Sequence, residues 1–183
     1  MSEDGLQLRL ATPADLPAIE RLIPRSVRGL STTYYSPAQI EASIVHVFGP
    51  DTQLVSDGTY FVVGSGERVV ACGGWSKRRT LFGGDQHKSS ADPLLDPATE
   101  PARIRAFFVE PDFARRGIAS RLMRACMDAA RAAGFRALEL GATLPGVPLY
   151  RAFGFRELER LDVPMPGGEA LPIVRMGRAL GGE

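Results

Sequence analysis

The stretch FARRGIAS, residues 113–120, constrains this chain more than any other feature. It stands between an apolar run, ARIRAFFVE at 102–110, and a long amphipathic segment that begins at Ile118. Two arginines and a glycine thus precede a helix start. A helix N-terminus already carries about half a positive charge, so Arg115 and Arg116 cost stability there unless an anion sits opposite them. Free N–H groups at a helix start point outward along its axis. Gly117 lets a bulky group approach the backbone closely, and Ala119 and Ser120 keep the first turn small. The combination predicts a phosphate or pyrophosphate site over Arg115, Arg116, Gly117, Ile118, Ala119 and Ser120. The competing reading is a solvated loop whose arginines face water.

The elements around this loop read as α/β. LQLRLA, 6–11, alternates as a strand does. TPAD then offers Thr12 as N-cap, Pro13 at the first helical position and Asp15 three residues after the cap, with Leu16, Ile19, Leu22 and Ile23 on one helical face. Ser36, Pro37 and Gln39 repeat the device before Ile40, Ile44 and Val47, and this second helix ends near Gly49. Residues 59–63 and 68–75 read as a hairpin around Gly64-Ser65-Gly66. That GxG lacks a third glycine and a following helix, so it is a turn and not a dinucleotide fingerprint. Residues 81–100 are rich in Gly, Ser, Asp and Pro and lack periodicity, as functional lids or disordered segments do.

The run Ala106–Val109 suits a central strand covered on both faces. The helix after it carries Ile118, Leu122, Cys126, Ala129, Ala130 and Ala133 on one side, with Arg121, Arg124, Asp128 and Arg131 on the other, and Gly134 stops it. ALELGAT, 137–143, returns as a strand, which predicts a right-handed parallel crossover. GVPLYRAFG reads as a short helix ended by Gly154, and FRELERLDV and LPIVRMGRAL as two closing antiparallel strands.

Length and charge exclude other classes. The 183 residues suit one domain, 1–183, with its core at about 6–180. A net charge of +1 supplies no field to attract nucleic acid or a membrane surface. The sequence lacks an apolar run long enough for a membrane span, and its first ten residues do not read as a signal peptide. The expectation is a soluble cytoplasmic protein, with a homodimer left open. A disulfide between Cys72 and Cys126 also stays open, although two cysteines are no scaffold. His46 and His87, with Cys72 and Asp85, show no metal spacing, so no metal is expected. There is no GxSxG elbow. Lys77-Arg78-Arg79, with few aromatics nearby, reads as solvated surface.

FARRGIAS resembles the pyrophosphate loop of the GNAT superfamily of N-acetyltransferases, whose pattern is Q/R-x-x-G-x-G/A. Gly117 and Ala119 fit that pattern, and Ala114 departs from its first position. PLYRAFGF, 148–155, is similar to the family's Y-x-x-x-G-F segment. The order β-α-α-β-β-β-α-β-α-β-β matches along almost the whole chain. The resemblance implies an α/β (α+β) single-domain GNAT-like fold, with a mixed central sheet of about seven strands splayed at an acetyl-CoA cleft. It implies acetyl-CoA as co-substrate and an amine as acceptor. Phe108 and Val109 would offer main-chain groups to the pantetheine arm, and Arg115 to Ser120 would wrap the pyrophosphate.

The resemblance further places Tyr150 near the CoA sulfur as general acid; the competing reading is a packed ring with its hydroxyl on backbone. Trp75, after Gly73-Gly74, with Tyr34, Tyr35 and the 81–100 loop, is assigned to the acceptor side; Trp75 as a core residue is the alternative. No general base is readable. Glu100, Glu110 and Glu139 lie near the right strands and read as solvated surface carboxylates, and a water chain would serve equally. The reading from another class is a non-enzymatic acetyl-CoA-binding sensor or interaction protein of the same fold.

Overall fold

The computed structural model describes residues 5–88 and 92–181. Its strands are β1 (Leu6–Leu10), β2 (Tyr60–Ser65), β3 (Arg68–Ser76), β4 (Ala102–Val109), β5 (Ala137–Thr143), β6 (Arg156–Pro164) and β7 (Ala170–Ala179). Its α-helices are α1 (Leu16–Leu30), α2 (Pro37–His46), α3 (Thr52–Ser56), α4 (Ile118–Ala132) and α5 (Val147–Ala152). The strands form one mixed sheet in the order β1-β2-β3-β4-β5-β7-β6. Among the described residues only the β4–β5 pairing is parallel.

Both helix-start signals form. The Ser36 hydroxyl accepts from the Gln39 N–H, and the Gln39 side chain accepts from the Ser36 N–H at 2.9 Å. The Asp15 carboxylate accepts from the Thr12 N–H at 2.8 Å and takes both Arg9 terminal nitrogens at 2.8 Å. That guanidinium, helped by the Thr12 N–H and opposed by burial, sets the Asp15 carboxyl low, at about 2.

Alternation along the strands splits the core in two. Val62 packs with Ile19, Leu22, Ile23, Ile40 and Leu54 of α1, α2 and α3. Its neighbour Val63 packs with Ile118 and Leu122 of α4. Helices therefore cover both faces.

Three expectations are corrected. The helix count rises by one, because five residues are too few to show periodicity; α3 is started by Asp51, whose carboxylate accepts from the Leu54 N–H at 3.3 Å. The hairpin turns at Gly66-Glu67, while Gly64 and Ser65 stay in β2, where the register shifts after Val63. The Ala106–Val109 run is only half-buried, because the strand beside it moves away. Cys72 and Cys126 are both free and buried.

Candidate functional site

A cleft opens where β4 and β5 part. The two strands pair only at Ala102–Leu138 and Arg103–Glu139. From Ile104 onward, β5 pairs β7 alone. Ala106 sits at the parting with φ +58°, a left-handed value for a residue with a side chain, and the β3–β4 register shifts at the same place. Such a bulge bends a strand and re-aims its side chains. The strain costs on the order of 1–3 kcal/mol and is found where a site needs the geometry. Gly73 on β3 makes the bend possible in a second way: a Cβ there would lie 2.5 Å from the Phe107 ring. The Gly73-Gly74 pair is thus a packing requirement.

The resulting cavity has a volume of about 710 Å³. At one end lies the start of α4. Gly117 has φ +77° and nothing within 4 Å of where a Cβ would stand. No backbone N–H from Gly117 to Ser120 has an acceptor in the protein among the described residues. Arg115, also left-handed at φ +61°, lines this end. Arg116 lies over the Phe113 ring, 4.9 Å from its centroid. Among the described residues neither arginine has an acidic partner. Free donors, positive side chains and an open approach make this end complementary to a multiply charged anion.

Phe108 and Val109 line the middle of the cavity. The Val109 N–H donates to the Ser26 hydroxyl of α1 at 3.1 Å, and the Phe108 N–H faces Cys72 Sγ. Burial, outweighing the hydrogen bonds from the Tyr60 hydroxyl and the Phe108 N–H, raises the Cys72 thiol to about 12. Tyr150 projects from α5 into the same region. Its ring packs on Phe107 at 6.5 Å and on Phe155 at 5.9 Å between centroids. Its hydroxyl has no protein hydrogen bond among the described residues. Burial first, and then proximity to Cys126, raises the phenol well above its usual value, so it stays a neutral donor.

The other end is formed by Leu30, Tyr34, Phe48, Gly49, Arg105 and residues 81–84. Phe48 meets Phe108 edge to face at 5.9 Å. Behind the lining is a buried ion pair. Arg105 donates to Asp51 at 2.8 Å and also to the carbonyls of Thr80 and Gly83. Lys88 donates to the other Asp51 oxygen at 2.7 Å. These bonds anchor 80–88 against the sheet. Arg105 Nε is buried and has no partner among the described residues.

The structure brings Arg115, Gly117, Ile118, Ala119 and Ser120, with Phe108, Val109, Tyr34 and Tyr150, to one cavity, while Arg116 stays beside it over Phe113 and does not line it. It does not bring Tyr35 or Trp75 there. Tyr35 is buried, donating to the Pro172 carbonyl at 2.6 Å and accepting from the Leu144 N–H at 2.9 Å. Its phenol is raised to about 12, chiefly by burial. Trp75 packs on Phe135 in the core at 5.9 Å. The 81–100 segment divides: 81–84 face the cavity, Ser89, Ser90 and Ala91 lie outside the described residues, and Leu95 joins the Trp75 cluster.

Glu110 is corrected from surface to interior, where Arg25 and Arg68 hold it at 2.9 and 3.3 Å. Glu139 is tied to Arg103 and Arg175, and Glu100 to Arg79. None of the three lines the cavity. Among the described residues no three His, Cys, Asp or Glu residues come together as a metal-ligand group. Ser26, Phe48, Phe82 and Arg105 were not singled out in the sequence. Arg105 alone left a trace there, as a charge directly before an apolar run.

Residues 25–155 match the model of the acetyltransferase (GNAT) family. No curated protein matches the chain. Among solved structures, a GCN5-related N-acetyltransferase from Rhodopseudomonas palustris is similar with TM-score 0.72 and 19% identity, covering 98% of each chain. The PaiA N-acetyltransferase from Thermoplasma acidophilum, in complex with coenzyme A, gives 0.65 and 12%, covering 95% of this chain and 98% of that one. The yncA protein from Salmonella typhimurium, with its cofactor acetyl-CoA, gives 0.61 and 14%, covering 98% and 96%. At these identities the likeness establishes the fold.

Proposed function

The chain belongs to the acetyltransferase (GNAT) family, and from that premise we propose that it transfers the acetyl group of acetyl-CoA to an amine. The observation that carries the reading is one continuous cleft. It runs from four unpaired N–H groups at the α4 start, along the freed edge of β4, to Tyr150 and an apolar end. Two of the solved relatives carry coenzyme A or acetyl-CoA.

In this reading the pyrophosphate rests on the Gly117–Ser120 N–H groups with Arg115 and Arg116 beside it. The pantetheine arm lies along Phe108 and Val109. The acceptor nitrogen attacks the thioester carbonyl, a C–N bond forms, and the C–S bond breaks. The nitrogen loses a proton to solvent, and the departing sulfur gains one. Tyr150 donates a hydrogen bond to that sulfur as charge grows on it. A neutral phenol with a raised pKa cannot hand over its proton completely to a less basic thiolate. It acts by stabilising the charge in the transition state, and water completes the transfer.

Calorimetry with CoA tests the site. The protein should bind CoA, and Gly117→Glu should lower affinity at least about 100-fold. The new side chain fills the open approach, strains a left-handed residue and sets a carboxylate against the pyrophosphate. Equal affinity for both proteins would remove the loop from the site.

A further inference from the structure

The proposed reaction leaves the acceptor open, and the end of the cleft away from α4 narrows it. That end is lined by Leu30, Tyr34, Phe48, Leu81, Phe82 and Phe108. Phe82 presses against Gly141 of β5, where a Cβ would stand 3.2 Å from its ring, so the aromatic wall is seated directly on the sheet. No carboxylate and no histidine lines the cavity among the described residues. The ionised group at this end is the Arg105 guanidinium, a cation. Its neutralising partner Asp51 is fully buried and already shared with Lys88. His87 packs on Phe82, and Lys88 on Asp51, and neither lines the cavity.

Two consequences follow for an amine entering here. An ammonium ion seated against the aromatic wall would give up part of its hydration without meeting an anion, which is unfavourable. Among the described residues no side chain of the lining is a carboxylate or imidazole able to take its proton. An alkylamine with a pKa near 10.4 is free base in only about one molecule in 2,500 at pH 7. With solvent as the remaining proton acceptor, an amine that arrives uncharged is favoured over one that must first be deprotonated.

We propose, on the basis of the acetyl-transfer reading, that the acceptor is a weakly basic amine borne on an aromatic or otherwise apolar body. It enters as the free base and seats that body among Phe48, Phe82 and Tyr34. The balance is simple: amine plus acetyl-CoA gives amide plus CoA thiol, with one proton leaving nitrogen and one arriving at sulfur.

Aniline and cyclohexylamine share a six-membered carbon ring and differ in basicity, while spermidine is polycationic. The test measures kcat/KM for all three by CoA thiol release, and acetyl-CoA binding by calorimetry. At pH 7 aniline should exceed cyclohexylamine by at least about tenfold, and cyclohexylamine should exceed spermidine. The gap between the two rings should narrow as pH rises toward 9, because free cyclohexylamine grows about 100-fold while aniline is already uncharged. Leu30→Glu, which adds a carboxylate at the half-exposed rim, should raise spermidine use relative to aniline by about tenfold.

Preference for spermidine at pH 7, a ring gap that does not change with pH, or no effect of Leu30→Glu would overturn the acceptor assignment. If acetyl-CoA binds but no amine is turned over, the acceptor assignment falls and the cofactor site stands. If acetyl-CoA does not bind, the acetyl-transfer reading fails with it.

Discussion

The cleft has two ends built by different means. At the α4 end the working groups are backbone N–H donors, and the side chains there need only be small or positive. At the other end the working surface is side chains, drawn from α1, the segments after α1 and α2, residues 81–84 and β4. The first end depends on four consecutive residues and one left-handed glycine. The second depends on pieces separated by up to about 80 positions and held by a buried ion pair. On the proposed reading, the contrast sets a donor site made of backbone beside an acceptor site made of side chains. A backbone site tolerates side-chain drift, whereas a side-chain site changes its ligand with each replacement.

Tyr150 lies between the two ends and gives the largest expected effect after the Gly117 change. Tyr150→Phe keeps the ring contacts with Phe107 and Phe155 and removes an uncommitted hydroxyl. A single hydrogen-bond donor aimed at charge that develops in the transition state contributes about 10² to 10³ in rate, so kcat should fall within that range while CoA affinity changes less than about threefold. Because burial raises the phenol, its ionisation lies above the ordinary tyrosine value near about 10. The rate profile up to pH 9.5 should therefore show no alkaline loss assignable to Tyr150, and parent and variant should share one shape. A few-fold loss of kcat, with chemistry limiting, would make Tyr150 a packing residue.

Asp51→Asn addresses the acceptor end alone. The pair with Arg105 has both side chains almost wholly buried, at 1% and 0% exposure. Removing one partner of such a pair typically costs about 3–5 kcal/mol, because the other charge is left uncompensated. For a chain of this length each kcal/mol is worth about 2–4 °C, so Tm should drop by roughly 6–20 °C. If the two ends are independent, the surviving folded enzyme should show a raised acceptor KM and an unchanged CoA dissociation constant. Loss of CoA affinity at a temperature well below the new Tm would couple the ends and break the comparison.

The same contrast governs what could be read beforehand. The α4 end was legible because its determinants are local: a glycine that must be left-handed, small residues after it and arginines before it. The capping residues Thr12, Asp15, Ser36 and Gln39 were legible for the same reason. The acceptor end was not, because Phe48, Phe82 and Arg105 meet only after the sheet forms. Trp75 shows the failure directly. It follows two glycines, but those glycines make room for Phe107, Thr59 and Tyr60, and the indole turns into the core. Glu110 follows a strand that opens on the cleft, yet Arg25 and Arg68 draw its carboxylate inside. Neither outcome depends on residues adjacent in sequence.

The smallest expected effect separates the free cleft from the occupied one. Ser26 Oγ accepts the Val109 N–H, one of the main-chain donors assigned to pantetheine. If a pantetheine carbonyl takes that N–H, the hydroxyl must yield it on binding. Ser26→Ala removes the competitor and leaves the N–H without its acceptor in the free protein. An unsatisfied buried donor costs about 1–3 kcal/mol, and here the open cleft admits water, which holds the loss to the lower figure. Free-protein Tm should fall by about 2–4 °C. CoA affinity should stay equal or rise by a few-fold, so the stabilisation that CoA confers should be at least as large in the variant as in the parent. A CoA affinity reduced tenfold would mean that the Ser26 hydroxyl itself touches the cofactor. The middle of the cleft would then share the side-chain character of the acceptor end, and the division between backbone and side-chain sites would move toward α4.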